Sequence, residues 1–580
     1  MGTLQISELL DFTGGLSNVV APHLIRPNEA REFTNIDITY GSLKSIPHIY
    51  STSMVPYQFF YEFRDTLHQY DEWRANAELN NIWYWTNGTD QGKVLTDGSE
   101  YGLGMPTPVN QPSATVEGTT PDGSLKGSLK YCYTFYNSAT GTEGPPSPLS
   151  AYAYPDEQVI RVDNFDTLPA DADLFRLYRI GGYLTRFTLV KELTATDVLT
   201  GWVDDLSERD VDGRLLETLN NGLPPGNIDN FVEHGGRLFG SSGSKLYYSA
   251  TGNGDSWYVY DFFDLPGTIT AVAKTNSGVL IMGAQFTSLL EGFSPQTFRL
   301  RTISAHAGCT SNRSLNYIQG VPIWLSEDGF YTFNGRLVNI TYKRIKEITG
   351  LDPSSSIVHN DTYYLTFTPA MKPSDSLYPS ESLYPGTIQG TGEVNLADGL
   401  IYIDFKRGAG FSYGMKTYNN IVSIGTWKNQ LYIITFNKIE YIDDCDTVIN
   451  CDDLVCEGAY YMSRIDTVVG NRYKVLRYIS PRLIDGSYST LKEYDKIRIN
   501  FIGVFTVKVI FDDNKVIVEE TIKSKAVLSD VSDDIELLED SLAIIGIPNN
   551  QNKSYSLAFD IEGFGVIKSI QYSWKPRELP

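Results

Sequence analysis

Histidine and cysteine, the residues that most often build catalytic and metal centres, are scarce: six and five in 580 residues. None of His23, His48, His68, His234, His306 and His359 stands in HExxH or another metal-ligand spacing, so a zinc hydrolase signature is absent. The nucleophile elbow Gly-x-Ser-x-Gly is missing; Gly240-Ser241-Ser242-Gly243-Ser244 resembles it only on the surface. No phosphate-binding loop with its lysine occurs. No apolar run reaches the roughly 18 residues of a membrane helix, so membrane insertion is not expected. The start, MGTLQISELLDF, has no basic region and no long apolar stretch, and reads as no signal peptide; Gln5 and Ile6 do not suit a myristoylation signal. The cysteines are odd in number and irregularly spaced, which argues against a disulfide framework and fits a reducing cytoplasm, with Cys132 and Cys309 as buried small hydrophobes. Basic residues are also in deficit, 47 against 70 acidic, for a net charge of −23. Such a chain repels nucleic acid unless its cations cluster, and no basic cluster is evident.

What is present points to β structure. Hydrophobic residues make up 41%, enough for real cores, and the 38 Tyr and 50 Gly favour strands and tight turns. Short β-branched or aromatic runs bounded by Gly, Asn, Asp or Pro recur: Lys130–Tyr136, Leu174–Ile180, Arg237–Phe239, Lys245–Tyr248, Gly278–Met282, Gly329–Phe333, Leu400–Phe405 and Gln430–Phe436. Helical periodicity is confined to Tyr342–Ile348 and Glu536–Leu542. The expected fold class is all-β: a β-propeller with an inserted fibronectin-like sandwich and a C-terminal β-sandwich or platform.

Length suggests several domains, at about 150 residues each. Residues 1–108 read as an N-terminal segment with the first propeller strands, followed by a Pro- and Thr-rich linker over Met105–Pro121. Residues 109–225 read as the inserted sandwich, in which the Pro-Pro-Ser-Pro run after Glu143 is unable to pair inside a sheet. Residues 226–463 repeat a strand, a Gly turn and a second strand, as propeller blades do. Residues 464–580 alternate at period two in Asp495–Phe501, Phe505–Phe511 and Tyr555–Ile561, which predicts the last sandwich.

Two segments interrupt this pattern. Asp443–Cys456 packs Asp443, Asp444, Asp446, Asp452 and Asp453 with three cysteines into fourteen residues. It lacks the CxxC pair of zinc sites and the Gly of an EF-hand, so it reads as an exposed acidic loop, with calcium binding or a disulfide formed after lysis as alternatives. Lys372–Asn395 carries the tetrapeptide SLYP twice, placing Ser376, Tyr378, Ser382 and Tyr384 in equivalent positions. An extended loop with a local duplication is the plain reading; a glycan-binding tip is the other, because Tyr offers a stacking face and a hydroxyl. Adjacent carboxylates such as Asp204-Asp205 and Asp512-Asp513 read as turn residues, since glycoside hydrolysis needs two carboxyls about 5 to 9 Å apart across a sugar.

The order of motifs resembles the tail nozzle proteins (tail tubular protein B, or DNA-stabilisation plug) of short-tailed bacteriophages. The resemblance is carried by Gly14-Gly15, Ala21-Pro22, Ala30–Asp37, Gly41–Leu43, Thr96–Ser99 and Leu103–Pro106, then Tyr131–Pro148, Gly236–Phe239, Leu246–Ser249, Trp257, Leu265–Thr270, Gly308–Ser311 and Leu325–Tyr331. It implies a structural, non-enzymatic virion subunit in the phage tail, made in the host cytoplasm and needing no cofactor. It also implies a sixfold homo-oligomeric ring below a tail adaptor, near fibres or spikes, through which genomic DNA passes without specific binding. Acidic channel walls suit that role, because they repel phosphates, and the two interrupting loops would then narrow the channel or its exit. The competing class is a carbohydrate-binding or depolymerising spike or propeller, with Tyr and Trp gathered with carboxylates in a concave site.

Overall fold

A computed structural model describes residues 3–17, 21, 24–37, 41–45, 53–118, 123–341, 351–369, 397–405, 412–438, 458–464, 475–485, 489–512, 515–524 and 540–577. The all-β expectation is borne out. The only helical element among the described residues is the single 3-10 turn Asn312–Ser314. Among the described residues, four sheets have the blade form of a β-propeller: four antiparallel strands hydrogen-bonded in chain order. Two-residue turns with both residues in the left-handed region drive the meanders, at Asn80-Asn81, Asn360-Asp361 and Lys428-Asn429. Their twist matches that of the flanking strands, so each turn folds one strand back on the last. The chain divides into two compact units, Arg74–His306 and Met1–Trp73 with Ala307–Pro580.

In the first unit, three blade-type sheets comprise Ala75–Leu79 to Glu100–Gly102, Asn230–His234 to Asn253–Asp264, and Ala271–Thr275 to Arg299–Ser304. Apolar clusters join them face to face. Leu79, Tyr84 and Leu103 pack with Phe231, Leu238 and Trp257. Val232, Phe239 and Leu246 pack with Val272, Val279, Ile281 and Leu290. Each buried side chain of this size stabilises by about 1.5–3 kcal/mol, so these clusters fix the sheet order.

Between the first and second of these sheets, residues 113–204 form two more. Asp156–Asp163 is flanked by Ser113–Glu117, Leu125–Lys126 and Trp202–Asp204; Leu129–Tyr136, Leu174–Gly181 and Leu184–Leu193 form the other. Tyr131, Tyr133, Phe135, Ile160, Val162, Phe175 and Leu177 make a shared core. The segment Met105–Pro121 is not merely a linker. It contains Ser113–Glu117, which pairs in register with Val159–Asp163, because Ala114 and Val116 alternate onto that core. The proline run also contributes to a sheet edge. Gly144, Ser147, Ser150 and Ala153 donate backbone N–H bonds of 2.8–3.0 Å to alternate carbonyls of Leu129–Phe135, with the prolines lying between donors.

In the second unit, Asn316–Ile318 to Leu337–Asn339 form a further four-stranded meander. A 17-stranded sheet holds most of the rest. Its spine is the pair Lys492–Phe511 and Leu557–Pro576, antiparallel over their full lengths. Asp495–Phe501 and Phe505–Phe511, read from sequence as separate strands, are one strand here. Ser541 and Leu542, expected in the helical Glu536–Leu542, instead open the strand Ser541–Gly546 that pairs with Phe501–Lys496. Seven residues cannot sustain a helix against a ready sheet edge. The N-terminal Gln5–Leu9 pairs with Trp574–Ile570, so both ends of the sequence share this sheet. Tyr342–Ile348 lies outside the described residues.

Candidate functional surfaces

Buried ionisable groups are where chemistry would be expected, and in the first unit three carboxylates are built into ion pairs. Arg179 and Asp204 are both fully buried, with Nη1 2.5 Å from Oδ2. Tyr131 donates its hydroxyl to the same Oδ2 at 2.7 Å, and the Leu206 amide donates to Oδ1 at 3.1 Å. Burial raises the Asp204 carboxyl above its ordinary range despite the pull of Arg179 and Tyr131. Burial, reinforced by Asp204, also raises the Tyr131 phenol. Lys93 Nζ lies 2.6 Å from Asp255 Oδ2 and donates to Thr142 Oγ1 at 2.7 Å, while the Gly104 amide donates to Asp255 Oδ1 at 3.0 Å. Glu143 accepts from Arg176, Thr134 and Tyr178 at 2.7 Å each, and Arg176 lies flat on Tyr136. Each of these three carboxylates is paired with a cation and accepts three hydrogen bonds from the protein itself, which ties it into the framework. These clusters hold strands together.

The nine residues singled out from sequence, Ser376, Tyr378, Ser382, Tyr384, Asp443, Asp444, Asp446, Asp452 and Asp453, lie outside the described residues. Asp204 is a buried ion-pair member and not an exposed turn residue, and Asp512 is held by Ser554 and Tyr555. His234 bonds through Nε2 to the Gly292 carbonyl at 2.8 Å. Among the described residues no three His, Cys, Asp or Glu side chains gather as metal ligands would. Cys132 and Cys309 are buried, and burial pushes both thiols up to about 12, which makes them inert packing residues.

What the surface offers is aromatic. Tyr258, Val259 and Tyr260 stand out from Asn253–Asp264, where the register with Lys245–Ala250 breaks between Phe262 and Trp257 and four residues oppose Tyr248 alone. Their neighbour Asp261 acts on Tyr248, whose phenol is raised to about 12, chiefly by burial. A second group consists of Tyr152, Tyr154 and Tyr183, around the segment 126–130. The sequence signal for Tyr152 and Tyr154 is the period-two AYAYP that follows the proline run, a pattern that belongs to no catalytic motif.

No family model matches the chain, and no curated protein matches it. Solved structures do align. Hsv2 of Kluyveromyces marxianus does so at 6% identity and TM-score 0.24, over 57% of this chain and 90% of that one. A Saccharomyces cerevisiae structure of Dbp5 with Nup159 and Gle1 gives 11% and 0.23, over 58% and 75%. The extracellular domain of the hybrid two-component protein BT4673 of Bacteroides thetaiotaomicron gives 14% and 0.22, over 70% and 51%. At these TM-scores the fold assignment rests on the sheets themselves.

Proposed function

We propose that the chain is a structural subunit of the tail nozzle of a short-tailed bacteriophage, extending the DNA channel below the tail adaptor as a sixfold ring. One observation carries the reading: segments that bear the resemblance serve as sheet framework. Leu238, Phe239, Leu246 and Trp257 lie in the sheet cores. Cys309-Thr310 and Leu325–Tyr331 meet within one meander, where the Thr310 amide bonds to the Leu325 carbonyl at 3.0 Å. A net charge of −23 suits a conduit whose walls must not hold phosphates. The ring would close through a head-to-tail contact between copies.

The test is averaged imaging of virions that carry a compact tag on this chain. Sixfold tag density on the tail below the adaptor is expected. Absence of the subunit from purified virions, or another rotational order, overturns the reading. A second reading, a carbohydrate-binding or depolymerising protein, is favoured in its binding half by the exposed tyrosines at one end of the 113–204 region.

A further inference from the structure

Tyr152, Tyr154 and Tyr183 are 56%, 69% and 90% exposed. Tyr is an amphipathic residue whose ring is commonly at least half covered, so three such rings in one neighbourhood need a reason. The neighbourhood is the segment 126–130. Tyr152 and Tyr154 lie two residues apart on an extended stretch, with ring centroids 6.1 Å apart and planes inclined by 29°. The Lys130 ammonium sits 4.1 Å from the Tyr152 centroid. Lys126 pairs with Glu157 at 2.6 Å and is acted on electrostatically by Tyr183. Tyr183 follows the turn glycines Gly181 and Gly182. A Cβ on Gly181 would stand 1.9 Å from the Ser128 carbonyl oxygen, so the chain passes against 126–130 as closely as a backbone can.

The tyrosines are also held. The Ala153 amide donates to the Leu129 carbonyl at 3.0 Å, the Leu129 amide returns a bond to Ala153 at 2.9 Å, and the Gly127 amide donates to the Pro155 carbonyl at 3.1 Å. The backbone of Tyr154 is therefore anchored on both sides, so a ligand stacking on its ring has only the side chain left to order.

We propose that this tyrosine group binds the sugar rings of a polysaccharide. The apolar face of a pyranose stacks on an aromatic ring, and its hydroxyls seek charged donors and acceptors beside that ring. Here the rings are Tyr152, Tyr154 and Tyr183, and the polar partners are Lys130, Lys126 and Glu157. A protein partner is a poorer fit, because a dry interface core is depleted in charge and these rings are interleaved with it. The inference rests on the binding half of the second reading above, is independent of the nozzle reading, and involves no bond cleavage.

The experiment is affinity electrophoresis of the full chain through gels containing, in turn, O-polysaccharide released from lipopolysaccharide, bacterial capsular polysaccharide and dextran. Retardation by at least one is expected, separating lipopolysaccharide from capsular and neutral sources. Tyr154→Ala should weaken it about tenfold, the equivalent of one lost stacking contact. Tyr154→Phe should retain most of it, and Tyr258→Ala, at the other exposed aromatic group, should behave as the parent. Both sites are on the surface, and unchanged circular dichroism checks the fold. No retardation by any of the three glycans, or a Tyr152→Ala/Tyr154→Ala/Tyr183→Ala variant retarded as strongly as the parent, overturns the proposal.

Discussion

Gly503 and Gly565 face each other across the paired strands Lys492–Phe511 and Leu557–Pro576. Both adopt positive φ, +121° and +131°, and a Cβ on Gly503 would lie 2.2 Å from the Phe564 carbonyl oxygen. Gly563, opposite Phe505, repeats the arrangement at φ +158°. Side-chain-free positions let two 20-residue strands coil around each other without separating.

Gly503→Ala should therefore destabilise by about 1–3 kcal/mol, the cost of a strained backbone and an overpacked contact. Gly546→Ala, at a strand end with open space around it, should change little. Calorimetric melting of the two variants checks the contrast. Equal melting temperatures would show that the strands tolerate a side chain at their crossing.

The Arg179–Asp204 pair yields a second expectation. Asp204→Leu or Arg179→Met alone leaves one buried charge unmatched and should cost about 3–5 kcal/mol. Arg179 makes this sharper, since its Nε and Nη2 have no hydrogen-bond partner in the structure and depend on Asp204 for compensation. The double variant Arg179→Met/Asp204→Leu should recover most of the loss, as apolar replacements of buried pairs often do. Denaturant titration of the three proteins measures the coupling, and additive losses would contradict it.

Stability should depend on pH through Asp512. Burial opposes its ionisation, but the Ser556 and Ser554 hydroxyls and the Tyr555 amide outweigh it and hold the carboxyl below its ordinary range. A carboxyl depressed in the folded state stabilises above its unfolded pKa of about 4, and that contribution fades as pH falls through the folded value. Asp512→Asn should flatten the melting-temperature profile below about pH 4 and lower it at neutral pH. A variant profile parallel to the parent's throughout would remove Asp512 as the source.

Chemistry separates the two functional classes. With Asp204, Asp255 and Glu143 committed to basic partners, the pure protein should release no reducing sugar from the three glycans used above. Turnover abolished by a single Asp or Glu substitution would instead establish a depolymerase.

The sequence by itself determined the all-β content and several strand bounds, while Ser541-Leu542 and Ser113–Glu117 are strands through the partners they meet. Gly278–Met282 and Gly329–Phe333 are strands with the boundaries their residues suggest, because a short apolar and aromatic run that opens on a turn glycine reads as a strand buried on both faces. The burial of Cys132 was legible in the aromatic strand Leu129–Tyr136, whereas Cys309 is buried outside any strand. Pairing over long separations was decided only in three dimensions. Nothing local to Gln5–Leu9 announces Trp574–Ile570, and nothing near Asp204 announces Arg179 and Tyr131. A strand's pattern states which face is buried but not which edge it joins, since backbone hydrogen bonds are alike at every residue. Gly503 reads as a break in sequence and becomes continuous strand only because Gly565 lies opposite. The tyrosine group was half visible, as AYAYP. Tyr183 joins it through the close approach of Gly181 to Ser128, a contact between backbones that leaves no mark in side-chain pattern.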